Sequence, residues 1–215
     1  MFSVRIAVLA ATFLVSHSSL AASFDCQKAR TTTERLICAD SQLSAIDESL
    51  NLAYKTVLSS MQDKSFIVRW QREWLKSSAV TNCKTVECLR PVFSARNDLL
   101  NRVAVEGITV PWSGNYVRYY KGTIDRDSAS LFLLGLKNNQ IYVSGLAFWY
   151  GPNANMGQIH DGEIEGNGFV RGNRASFDLD GCTAEMVLKQ STIVVESESG
   201  CGGLNVSFVG DYKRK

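Results

Sequence analysis

The chain has 215 residues, with 45% hydrophobic and 20% charged side chains and a formal net charge of +2. Its 23 lysines and arginines against 21 acidic residues create no field for a phosphate backbone or an anionic lipid surface, so nucleic acid is excluded as the expected partner. Six cysteines, an even number, favour disulfides over metal in a chain that leaves the cytoplasm.

The first residues read as a secretory signal. Arg5 precedes an apolar run over residues 6–15, and Ser19-Leu20-Ala21-Ala22 supplies small residues for cleavage after Ala21 or Ala22. The run is too short for a permanent transmembrane helix, and no second long apolar stretch follows, so no stable membrane insertion is expected. No cysteine follows the cleavage point directly, which argues against lipid anchoring. The expected location is periplasmic or secreted. Without Arg5 the mature chain carries 22 basic residues against 21 acidic ones.

Residues 33–61 read as one long helix. Leu36, Leu43, Leu50 and Val57 recur at heptad spacing, with Ala39, Ile46 and Ala53 filling the positions between. Thr31 and Glu34 carry a capping-box signature. After a turn in 59–64, a second helix places Ile67, Trp70, Trp74 and Leu75 on one side. A third begins near Val86 and carries Leu89, Phe93, Leu100 and Val103, with Pro91 in about its first turn, where proline is tolerated. Packed up-down-up, these helices gather Cys26, Cys38, Cys83 and Cys88 at one end. Four cysteines allow three pairings, and sequence does not choose among them. Cys26–Cys38 with Cys83–Cys88 is the set in which each bridge closes a local loop.

The character of the chain changes near Gly107. Strands are predicted over 115–120, 130–136, 140–149, 158–164, 175–179, 184–189, 192–198 and 205–212, joined by hairpin turns such as Lys137-Asn138-Asn139 and Asp180-Gly181. About eight sequential antiparallel strands make a small up-and-down barrel or a tightly curved sheet. So short a barrel is expected to be filled by its own side chains. Cys182 and Cys201 fall near the ends of neighbouring strands and would staple the last hairpin. The expected fold class is α+β: a signal peptide over 1–22, a disulfide-clamped three-helix domain over 23–106, and an antiparallel β-barrel-like domain over 107–215.

One ordered series of residues carries a family resemblance. It comprises Phe24-Asp25-Cys26, Glu34-Arg35-Leu36-Ile37-Cys38-Ala39-Asp40, Leu43, Asp47, Leu50, Tyr54, Gln71-Arg72-Glu73-Trp74-Leu75, Cys83, Cys88-Leu89 and Arg96. Over about residues 24–103 the chain resembles the N-terminal domain of the LprI-like lysozyme-inhibitor family of secreted bacterial proteins. The resemblance implies a lysozyme, or another cell-wall hydrolase, as partner. A founding member of that family is a lipoprotein, as its name says, whereas this chain lacks the lipid-acceptor cysteine. The β-rich half resembles the small β-barrel inhibitors of lysozyme in architecture only, and fold analogy of that kind says little about function.

Two surfaces are candidates for partner binding. Arg69, Arg72 and Lys76 share a face of the second helix and suit an acidic partner cleft, although a solvated face has the same pattern. Residues 150–157, with Tyr150, Asn153 and Asn155, form a turn-rich loop whose amides suit groups that normally hold saccharide; the plain alternative is a long hairpin connection. Asp47, Tyr54 and Arg96 form either a recognition patch or an internal network in which Asp47 pairs with Arg96, and the network is the favoured reading. Trp70 and Trp74 read as core.

Catalytic readings find little support. His160 neighbours Asp161 without a nucleophile motif, and the cysteines are committed to disulfides. Glu163 and Glu165 lie on one side of a strand, as a wet face would, although glycosidases also use paired carboxylates. No cofactor is expected. No metal is expected either, because Cys83 and Cys88 are spaced more widely than a metal knuckle and His160 is the only histidine after the signal. The sequence therefore reads as a non-enzymatic, exported lysozyme-inhibitor-like protein that blocks a lysozyme cleft. The alternative is a non-inhibitory periplasmic cell-envelope binding or interaction module.

Overall fold

The computed structural model describes residues 22–61 and 64–215, so the signal-peptide reading lies almost wholly outside the described residues. Within them, α1 (Thr32–Ala39), α2 (Ser41–Ser60), α3 (Ser65–Lys76), the single-turn α4 (Ser78–Thr81) and α5 (Val86–Asn101) form the N-terminal part. The capping box opens α1 as expected: Glu34 N–H donates to the Thr31 hydroxyl at 3.1 Å, and Thr31 N–H donates to the Glu34 carboxylate at 2.8 Å.

The long first helix is broken at Asp40. Its backbone is extended (φ −127°, ψ 119°), and its carboxylate accepts the Leu43 N–H at 2.7 Å, so α2 starts afresh there. The break shifts the buried stripe before it. Ile37 is buried and Ala39 is exposed, whereas Leu43, Leu50, Ala53 and Val57 keep their heptad places in the core. Arg90 of α5 donates to the second Asp40 oxygen at 2.8 Å, tying the start of α2 to the first turns of α5. Pro91 sits just past the first turn of α5. Leu75 is 47% exposed, pointing away from the core it was expected to join.

The second half is a closed barrel. Its strands are β1 (Gly114–Tyr120), β2 (Thr123–Ile124), β3 (Ala129–Gly135), β4 (Gln140–Tyr150), β5 (Ile159–Arg171), β6 (Arg174–Leu179), β7 (Cys182–Lys189), β8 (Thr192–Ser199) and β9 (Gly210–Arg214). Strands β3 to β9 pair antiparallel in chain order, β1 pairs with both β3 and β9, and the two-residue β2 folds back antiparallel on the end of β1. Full closure removes the sheet edges. Inward residues such as Tyr116, Leu131, Leu133, Phe177, Met186 and Tyr212 fill the interior.

Two strands depart from expectation. β5 continues to Arg171, well past residue 164, and the last strand is Gly210–Arg214 rather than 205–212. Residues 205–209 instead close one end of the barrel. Phe208 is fully buried there, and Arg118, itself 8% exposed, pairs through its guanidinium with Asp125 at 2.7 Å and donates to the Ser207 carbonyl. The Ser207 carbonyl is thus taken by a side chain rather than by a neighbouring strand.

Three disulfides are formed: Cys26–Cys38, Cys83–Cys88 and Cys182–Cys201. The third joins the start of β7 to the residues just after β8.

The helices cover one side of the barrel. Phe132, Leu134, Leu136 and Tyr142 face outward from β3, β4 and the turn between them, yet they are buried in the same apolar cluster as Ile67, Leu89 and Phe93. Ala104 N–H donates to the Gly135 carbonyl at 2.9 Å and Lys137 N–H to the Arg102 carbonyl at 2.8 Å, which fixes the connection. Each large apolar side chain buried in such a seam contributes roughly 1.5–3 kcal/mol. The two segments distinguished in sequence therefore share a core. Among the described residues, no helix is long and apolar enough to cross a membrane.

Candidate functional site

Helix α3 lies across the outer wall of β3 and β4 and is anchored there by Trp70. One face of its ring stacks on Phe132, with centroids 4.6 Å apart and planes 13° from parallel. The Arg96 guanidinium lies 3.2 Å from the ring centroid, and two partners this close cannot occupy the same face. Both faces of Trp70 are thus taken, which makes it a seam residue, as its helical spacing implied. Trp74 meets Phe93 edge-on at 5.1 Å.

The expected Asp47–Arg96 pair does not form. Arg96 donates instead to the Gln71 side-chain carbonyl at 2.9 Å, while Asp47 accepts the Ser23 N–H at 2.9 Å. Burial disfavours the Arg96 charge and pulls its pKa down to about 9, partly offset by nearby Tyr142 and Glu165. It remains cationic at neutral pH. The Tyr142 hydroxyl donates to Glu165 at 2.6 Å, and burial together with that carboxylate pushes its pKa up.

A cleft of about 420 Å³ opens beside this anchor, between α3 and the barrel wall. Arg69 and Glu73 of α3 line one side, one helical turn apart, and Ser130, Ser144, Glu163 and Glu165 line the other. Register explains the second group: Ser144 faces Glu165 and Leu146 faces Glu163 across β4 and β5. The predicted pair Glu163 and Glu165 does share an exposed face, and that face looks into a cleft rather than open solvent. Glu73, Asn115 and Lys215 also line it, and no local pattern in the sequence announces that meeting, because the fold alone brings them together. Arg72 and Lys76 are exposed on α3 and are not among the cleft's lining residues.

The loop between β4 and β5 lies further along the barrel wall. Its base is held closely: Tyr150 N–H donates to Asp127 at 3.1 Å, Gly151 N–H to the Gln158 carbonyl at 3.0 Å, and Asn153 N–H to the Gln158 side chain at 3.1 Å. A 3₁₀ turn over Ala154–Met156 ends on Gly157 at φ 91°, a left-handed conformation that suits glycine. Asn153 and Asn155 are exposed, Met156 is 76% exposed, and Tyr150 is half-buried. Nearby, Ile159 and Leu204 are also exposed. His160 joins the two loops by donating from Nδ1 to the Leu204 carbonyl at 2.6 Å, and its ring stacks on Trp149 at 5.0 Å. The Cys182–Cys201 bridge fastens the base of the Leu204 loop.

The structure therefore places the six predicted contact residues in separate settings. Arg69 joins the cleft, Arg72 and Lys76 stand on the outer face of α3, and Tyr150, Asn153 and Asn155 belong to the braced loop. Among the described residues, no cluster of three or more histidine, cysteine or acidic side chains is placed to hold a metal ion.

No protein-family model matches this chain, and no curated protein or solved structure is significantly similar to it.

Proposed function

We propose that this is an exported, LprI-like lysozyme inhibitor that works by inserting the 150–157 loop into the cleft of a lysozyme or related cell-wall hydrolase. The observation that carries the reading is the loop itself: a projection braced at its base that offers Asn153, Asn155 and Met156 to solvent. Such enzymes use two carboxylates flanking the glycosidic bond, and an inhibitor needs only a complementary body that reaches them and excludes substrate. Bracing lowers the ordering cost of binding, because less loop freedom is lost on contact. The exposed Ile159 and Leu204 beside the loop add apolar area to the same end of the barrel. The order of cysteines and helix motifs in 24–103 supports the family reading, and three disulfides suit an oxidising compartment.

The cleft beside α3 favours a second reading, a periplasmic envelope module that binds a wall polymer without inhibiting anything. Its serines, carboxylates and Arg69 offer many hydrogen bonds to a polar chain. A lysis assay on cell-wall suspensions separates the two. The inhibitor reading expects full-length protein at micromolar concentration to slow lysozyme. Retention on insoluble peptidoglycan with lysis unchanged would favour the envelope module instead.

A further inference from the structure

Asp47 of α2 is a buried carboxylate next to the N-terminal end of the described chain. It is only 7% exposed, and it accepts the Ser23 backbone N–H at 2.9 Å. Among the described residues, no lysine or arginine lies within ion-pair distance of it. A buried carboxylate with no cation beside it is costly to ionise, and a cation placed next to it would relieve that cost.

The chain just before Ser23 supplies one. Ala22 is 7% exposed and belongs to the apolar cluster that includes Leu43 and Leu50, so its methyl group is part of the folded core. A residue that the core uses belongs to the mature protein. Of the two cleavage points that the sequence offers, the one after Ala21 keeps Ala22. It also places Ser19 and Ala21 at the two small-residue positions that signal cleavage requires.

We propose that the maturation cut falls at the Ala21–Ala22 bond and that Asp47 is the binding site for the new Ala22 α-ammonium. A signal peptidase hydrolyses that bond: water gives its OH to the Ala21 carbonyl carbon and a proton to the Ala22 nitrogen. The acid formed on Ala21 ionises, and the free amine, with an ordinary pKa of about 8, is protonated at neutral pH. The ammonium forms one residue from the N–H that already bonds Asp47. Processing thus gives the buried carboxylate a cationic partner. It pins the N-terminal strap across α2, just ahead of the Cys26–Cys38 bridge. The inference rests on the exported-chain reading and stands apart from lysozyme binding.

The test has two independent arms. The full chain is expressed in a bacterial host and the exported protein is weighed intact; the expected mass begins at Ala22, and any other start overturns the assigned cut. Separately, refolded proteins beginning at Ala22, or at Ala22 behind a Gly-Ser extension, are melted with Asp47 and with Asp47→Asn. The extension is expected to lower Tm by roughly 2–4 °C with Asp47 and by less than about 1 °C with the asparagine. Equal drops in both backgrounds would overturn the ion pair. If Asp47→Asn does not fold, NMR titration of a ¹³C-dimethylated Ala22 amine decides. A pKa above that of the same amine in the unfolded chain supports the pair, and one at or below it refutes it.

Discussion

The Arg96 guanidinium and the Phe132 ring enclose Trp70 from opposite faces, at 3.2 Å and 4.6 Å. One residue from α5, one from α3 and one from β3 thereby join helices and barrel at a single point. Trp70→Ala should cost about 3–5 kcal/mol, since it empties a large aromatic site in the seam. Far-ultraviolet and tryptophan-fluorescence melts of the wild type should coincide, because the shared core couples the two segments. Arg96→Lys, which keeps charge but loses the planar stack, should cost about 1–2 kcal/mol.

Asp40 and Glu34 both have their carboxyls held below the usual range. For Asp40 the cause is first the Leu43 N–H and then Arg90; for Glu34 it is the backbone N–H groups of Thr31 and Arg30. Groups whose folded pKa is depressed contribute stability above their unfolded values, near 4, and lose it as pH falls through the folded value. The N-termini of α1 and α2 should therefore weaken below about pH 4. Asp40→Asn keeps a capping oxygen and should flatten that acid dependence. Asp40→Ala should also lower the melting midpoint at neutral pH.

The three disulfides close loops of different length, with sequence separations of 19, 12 and 5 residues for Cys182–Cys201, Cys26–Cys38 and Cys83–Cys88. Chain-entropy reasoning gives about 3 kcal/mol for each of the first two and about 2 kcal/mol for the third. Paired serine variants measured by urea unfolding should follow that order.

Gly145 faces the barrel interior, where a Cβ would lie 2.7 Å from Leu131 Cδ2 and 2.9 Å from the Ser130 carbonyl oxygen. Gly145→Val should cost about 1–3 kcal/mol through overpacking. Equilibrium unfolding reads the loss directly.

Much of this architecture is legible in the residues, and what is not has physical causes. Alternation found the barrel strands because one face of each is apolar and filled. The unbroken run Leu131-Phe132-Leu133-Leu134 carried a further message: a strand apolar on both faces is covered on both. That run announces the helix seam, although it names no partner. The break at Asp40 is masked by a heptad that continues through it, because a capping aspartate costs the pattern only one position. The cleft was only half legible. Glu163 and Glu165 show their shared face through period-two spacing, while Glu73 and Lys215 reach them through tertiary packing that no local pattern encodes.

Inhibition through the 150–157 loop is tested most directly by the rate of cell-wall lysis by lysozyme against rising concentrations of the full protein and of an Asn155→Ala/Met156→Ser variant. Both substituted side chains are exposed, so Tm should be unchanged. Saturable inhibition is expected from the wild type, with a loss of at least about tenfold in potency for the variant, roughly the effect of 1.4 kcal/mol of contact. Undiminished lysis with the wild type, or equal inhibition by both proteins, would contradict it.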